Sequence, residues 1–167
     1  MGMYTEFIFG CKLSKDTPKE CLDSLDYVIN GEEGHSYIRW NSKTNKIEVD
    51  KYERTTSQED IDTFIEKWDL WSLFKCSSYS FGSANPIGKF YLDGNYDNYH
   101  ISTRVYLKNY SSQIENFINY IKPYVTQGSG WYHNIFAYVQ YEEEEFPTLY
   151  GIDGTYRVDY SKIKKDV

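Results

Sequence analysis

Asn98-Tyr99-His100-Ile101-Ser102-Thr103-Arg104-Val105-Tyr106-Leu107 is the stretch that decides the fold class. Its period is two: Tyr99, Ile101, Thr103, Val105 and Leu107 share one face, and His100, Ser102, Arg104 and Tyr106 share the other. A strand with one apolar and one mixed face belongs to an antiparallel sheet covered on one side. Working outward, residues 3–13 also alternate, with Phe7, Phe9, Cys11 and Leu13 on one face and Tyr4, Ile8 and Gly10 on the other. Both of those faces are largely apolar, which places this strand in the sheet interior. Further strands are expected at 76–81 and 87–92, separated by a break at 82–86, and over 131–141. A turn through Asp93-Gly94-Asn95 leads into the decisive stretch, and a hairpin of 148–152 with 155–160 turns at Asp153-Gly154.

Helices interrupt the strands at three points. Thr17-Pro18-Lys19-Glu20 has the form of a capping box with proline at the first helical position, ahead of a Leu22, Leu25, Ile29 stripe that stops at Asn30-Gly31. Thr56 or Ser57 caps a second helix with Ile61, Phe64, Ile65 and Trp68 on one side, continuing through Trp71 to Phe74. Ser112-Gln113-Ile114-Glu115 is a second capping box, followed by Ile114, Phe117, Ile118 and Ile121 and ended by Pro123. Residues 36–52 have the form of a polar hairpin around Asn41-Ser42-Lys43-Thr44-Asn45. The expectation is a single α+β domain over residues 1–167: a mostly antiparallel sheet with two or three helices packed on one face. Residues 36–52 form an inserted hairpin, and 161–167 a frayed tail.

The chain carries a net charge of -7, which opposes salt-driven binding to nucleic acid. No apolar run approaches the ~20 residues of a membrane helix. The opening Met1-Gly2-Met3-Tyr4-Thr5-Glu6 lacks the basic and apolar order of a leader, so a cytoplasmic, non-membrane protein is expected. Cys11, Cys21 and Cys76 lack CxxC spacing and read as reduced thiols. His35, His100 and His133 are too widely separated for a local metal motif. Gly128-Ser129-Gly130 follows a helix and precedes a strand, the reverse of a phosphate cradle. No catalytic residue, metal or cofactor is assigned.

Recognition is where the composition points. Eighteen tyrosines bring rings that pack, donate hydrogen bonds or grip a partner. The face opposite the helices is expected to carry Arg104, Tyr106, Tyr132, Asn134, Phe136, Tyr138 and Gln140, unless the hairpin around Trp40 or the C-terminal hairpin covers it. Tyr106, Trp131, Tyr132 and Tyr138, with the run Glu142, Glu143, Glu144 and Glu145, are the expected contacts for a protein partner with a basic surface. The alternative is a small-ligand or nucleotide pocket, possibly enzymatic, where His100, Arg104 and His133 converge beside the sheet. Self-association into a homo-oligomer is a third expectation.

Several motifs carry a resemblance: Tyr4-Thr5-Glu6, Asp16-Thr17-Pro18-Lys19-Glu20, Ser78-Tyr79-Ser80-Phe81-Gly82 with Asn85-Pro86, and Lys108-Asn109-Tyr110. Ile121-Lys122-Pro123-Tyr124, Gly128-Ser129-Gly130, and Tyr141-Glu142-Glu143 with Pro147-Thr148 complete it. In these the chain resembles a group of small uncharacterised proteins of low-GC Gram-positive bacteria and their phages. The resemblance covers most of the chain outside about residues 31–56, and its motifs are caps and turns, so it implies a shared fold and carries over no catalytic residue. It also implies a phage or mobile-element setting. Small acidic proteins of that kind act on host proteins, for example inhibiting a defence nuclease by surface occlusion or nucleic-acid mimicry.

Overall fold

β1 (Thr5–Leu13) is the axis of the molecule. In the computed structural model, which describes residues 4–75, 88–93, 98–128 and 134–158, β1 pairs antiparallel along its whole length with β5 (Asn98–Leu107). Its other edge is shared: β7 (Ile135–Tyr141) takes Thr5 to Phe9, and β6 (Val125–Gly128) takes Cys11 to Leu13. β4 (Lys89–Asp93) extends the sheet beyond β5, while β8 (Thr148–Gly151) and β9 (Thr155–Arg157) extend it beyond β7. The result is a seven-stranded antiparallel sheet in the order β4-β5-β1-β7-β8-β9, with β6 beside β1. β2 (Ser36–Asn41) and β3 (Lys46–Lys51) form a separate two-stranded ribbon. The expected α+β architecture is correct, with four α-helices among the described residues where two or three were expected.

The alternation in β5 does what its period requires. Ile101, Thr103, Val105 and Leu107 are buried, and Phe7, Phe9, Cys11 and Leu13 of β1 join them on the same side. Against that side lie α1 (Lys19–Asn30), α2 (Gln58–Trp68), α3 (Leu70–Lys75) and α4 (Gln113–Ile121). Phe9 meets Phe74 of α3 and Phe117 of α4 edge-on, at centroid separations of 6.3 and 5.7 Å. The α2 stripe ends where Asp69 adopts a left-handed φ of 49°, so the helix restarts as α3 and leaves Trp71 exposed.

Three local expectations need correction. At α1, Pro18 is the cap rather than the first helical residue, its carbonyl accepting from Cys21 and Leu22. Thr17 donates its hydroxyl to the Ser14 carbonyl, which removes it from capping. At α4, Ser112 sits at φ 55° without a side-chain cap bond. Asn109 replaces it: its Oδ1 accepts from the Ile114 amide, and its Nδ2 donates to Glu115, which therefore faces away from Ser112. Asn109→Ala is expected to lower stability by about 1 kcal/mol. Ser112→Gly should not lower it, because glycine adopts positive φ without penalty; urea unfolding of both variants checks the assignment. Third, Phe136 is core (2% exposed) rather than on the second face, because a bulge between Ile135 and Ala137 interrupts the alternation of β7.

Residues 131–133, the expected strand at 76–81, the break at 82–86, Gly94, Asn95, Ser129, Gly130 and the tail from 161 lie outside the described residues.

Candidate interaction site

Two buried carboxylates of the interior, Asp23 and Asp26, lie on α1 and face the ends of the β2–β3 ribbon. Both are 0% exposed. Asp23 Oδ1 accepts from the Tyr52 hydroxyl at 2.8 Å and from Lys19 Nζ at 2.9 Å, and its Oδ2 accepts from the amides of Thr55 and Thr56. Asp26 Oδ1 accepts from Asn30 and His35, and its Oδ2 accepts from Arg54 Nε at 2.6 Å. The Arg54 guanidinium also donates to the Gly31 carbonyl. Burial alone would raise both carboxyl pKa values, but these donors outweigh it and hold Asp23 and Asp26 below the ordinary carboxylate range.

His35 fixes its own tautomer. Its Nε2 lies 3.0 Å from the Leu92 amide, which can only donate, so Nε2 is unprotonated and the proton sits on Nδ1, aimed at Asp26. The ring stacks on Tyr52 at 4.9 Å and 17° and meets Phe90 edge-on. An Asp–His pair could serve a nucleophile only if Nε2 were open, and here the backbone of β4 occupies it. The cluster is therefore closed chemically. It ties both roots of the ribbon, His35 before β2 and Tyr52 with Arg54 after β3, to α1 and β4. The beside-lying hollow of Tyr27, Glu32, Arg54, Gln58 and Asp62 meets the cluster through Arg54, two of whose nitrogens already donate.

Beyond this root the ribbon divides into two unlike faces. Register pairs Ile38 with Val49 and Trp40 with Ile47, so all four share the outer face. They are 63%, 70%, 50% and 67% exposed, respectively. The reverse face is polar: Arg39 Nε meets Asp50 at 2.9 Å and its Nη2 meets Glu48 at 3.6 Å. The tip is ordered by Asn41, whose Oδ1 accepts from the amides of Lys43 and Thr44 and whose Nδ2 donates to Glu48. The hairpin read as polar from its sequence is thus apolar on one side. The signal that finds this face is the period-two pattern in Tyr37-Ile38-Arg39-Trp40 and Ile47-Glu48-Val49-Asp50.

The residues expected to make contact are partly brought together. Tyr106 and Tyr138 share the second face of the sheet, paired with Glu6 and Ile8 of β1, and both are half-buried. The Tyr106 hydroxyl donates to Glu6 at 2.7 Å, and Arg104 donates to the same carboxylate. The C-terminal hairpin extends the sheet edge instead of folding over this face, where Ile8 and Arg104 remain exposed. The four glutamates follow β7 at the same end of the sheet. Glu142 accepts from the Tyr4 amide, Glu144 lies 3.8 Å from Arg157, and Glu143 and Glu145 are exposed. Trp131 and Tyr132 lie outside the described residues.

The alternative ligand set does not close on a pocket. His100 and Arg104 are four residues apart on one face of β5, about 13 Å along the strand. Arg104 is engaged by Glu6, and His100 stacks flat on Tyr91 at 4.7 Å and 3°. Burial and Lys12 lower the His100 pKa. His133 lies outside the described residues. Among the described residues, no three His, Cys, Asp or Glu side chains converge as metal ligands would, and no helix is long and apolar enough to cross a membrane. Burial pushes the Cys11 and Cys21 thiols up, away from nucleophilic use. No protein-family model matches the chain, nor does any curated protein or solved structure.

Proposed function

We propose that this protein is a non-enzymatic protein-binding module that docks through the outer face of the β2–β3 ribbon. The observation that carries the reading is the strip of Ile38, Trp40, Ile47 and Val49, each at least half exposed, on a ribbon whose roots are anchored in the interior. A two-stranded ribbon is marginal alone, and soluble surfaces rarely present such contiguous apolar strips without a use. Large aliphatic and aromatic side chains held on a rigid support lose little entropy on docking.

Within this class, the reading suggested by the resemblance to phage-borne proteins is an inhibitor that occludes a host factor, such as a defence nuclease. Surface occlusion fits the chain better than mimicry of nucleic acid. Two of the four clustered glutamates are engaged by Tyr4 and Arg157, so the run is not a free row of phosphate-like charges.

The test is site-specific photocrosslinking in an extract of the source cells. A crosslinker at Val49 should yield a discrete adduct with another protein. One at Tyr110, which is 68% exposed elsewhere on the surface, should not. Equal labelling from the two positions, or none from Val49, removes the assignment.

A further inference from the structure

We infer that the surface received by the ribbon is an apolar groove bordered by carboxylates, and that it belongs to a different protein rather than to a second copy of this chain. This deepens the docking reading and rests on it. The ribbon has the opposite charge balance to the rest of the molecule: Arg39, Lys43, Lys46 and Lys51 stand against Glu48 and Asp50, in a chain of net -7. Both carboxylates lie on the reverse face, where Arg39 engages them. The outer face therefore carries no anion. Lys51 shares it, since its register partner Ser36 precedes Ile38 by two residues, and Lys43 stands at the tip, while Lys46, opposite Asn41, falls on the reverse face with Glu48. Lys51 and Lys43 are exposed, and they bracket the apolar strip over about 16 Å of strand.

That layout fixes the sign of the complementary surface. Carboxylates at the two ends of a groove would meet the bracketing lysines, while the groove takes Trp40 and its aliphatic neighbours. This is opposite to the basic partner surface expected from the run of four glutamates. A second copy fits poorly. Two outer faces laid together set Lys51 against Lys51 in one direction and Lys51 against Lys43 in the other, with no anion between. An anionic bilayer attracts lysine and tryptophan too, yet it would repel the negative remainder of the chain.

The experiment identifies the protein captured from Val49, purifies it, and measures its affinity for the full-length chain by calorimetry at low and moderate salt. Lys43→Glu with Lys51→Glu should weaken binding at least tenfold and flatten its salt dependence. Ile38→Ser with Ile47→Ser should weaken it further at every salt concentration. If charge reversal leaves the affinity unchanged while the serine pair abolishes it, the acidic groove is wrong and the docking face stands. If the serine pair also has no effect, the docking reading itself fails. Val49 adducts consisting only of chain dimers, with a dimer in light scattering, overturn the inference in favour of a second copy. Flotation of the wild-type chain with phosphatidylserine vesicles, abolished by the serine pair, overturns it in favour of lipid.

Discussion

Asp26→Ala is expected to destabilise the protein by about 3–5 kcal/mol, the range for breaking a buried ion pair from one side. The carboxylate is fully buried and satisfies three donors on three different segments: Asn30 on α1, His35 ahead of β2, and Arg54 after β3. Its loss leaves Arg54, 16% exposed in the side chain, with an uncompensated charge, and leaves the His35 Nδ1–H without an acceptor. Urea unfolding followed by far-ultraviolet circular dichroism measures the loss. The damage should be greatest at the ribbon root, so amide exchange at Tyr52 and Leu92 should accelerate more than at β1. A loss below 1 kcal/mol would mean that the cluster does not anchor the ribbon.

The same carboxylates set an acid limit. Because Asp23 and Asp26 have folded pKa values below their unfolded ones, their stabilisation is complete above about pH 4. It is lost as pH falls through the folded values. Wild-type stability should therefore decline steeply below pH 4, and Asp26→Ala, already without one of the two groups, should decline less.

Phe9→Ala is expected to cost about 3–5 kcal/mol by a different mechanism, an unfilled cavity. Phe9 is 1% exposed on the central strand and lies within 5.7 to 6.3 Å, centroid to centroid, of Phe7, Phe74, Phe117 and Phe136. Those rings come from β1, α3, α4 and β7, so the cavity would open where sheet and helices meet. Ile8→Ala, one residue away on the second face, should cost less than half as much, since Ile8 is already 37% exposed. Thermal or urea unfolding of the pair separates the two faces of one strand. Equal losses would contradict the assignment of the core side.

What could be read from the chain alone followed local periodicity. β5 has the predicted limits, and α4 buries Ile114, Phe117, Ile118 and Ile121 as its spacing requires. The misses arose where a distant partner redirects a local group. The acids of α1 resemble an ordinary solvated helix face until residues 35 to 56 bring them donors, and no spacing within α1 announces this. Asn109 looks like loop composition, and its capping role depends on a helix start that Ser112 counterfeits. Phe136 obeyed the strand period on paper, but the bulge turned it inward. β6 is not legible because four residues offer too little alternation. The apolar side of the ribbon is fully present in the sequence, as every second residue between Arg39, Glu48 and Asp50.

The tyrosines divide along the same lines. Tyr52 and Tyr141 use their hydroxyls on Asp23 and Glu115, inside the structure, and their pKa values are raised by burial and by those carboxylates. Tyr106 serves Glu6 on the second face. Much of the tyrosine content is therefore architecture, and the apolar ribbon carries more of the case for recognition than the sheet does.

The position of β1 has a consequence for how the molecule comes to exist. Its partners are residues 98–107 on one edge and 125–128 with 135–141 on the other, all of them far along the chain. On a ribosome this central strand emerges long before anything can hydrogen-bond to it, and closing those long loops slows folding. Nascent chains stalled short of residue 107 should therefore be protease-sensitive and prone to associate through Phe7 and Phe9. The yield of soluble protein in a cell would then depend on synthesis rate and chaperone supply more than on final stability.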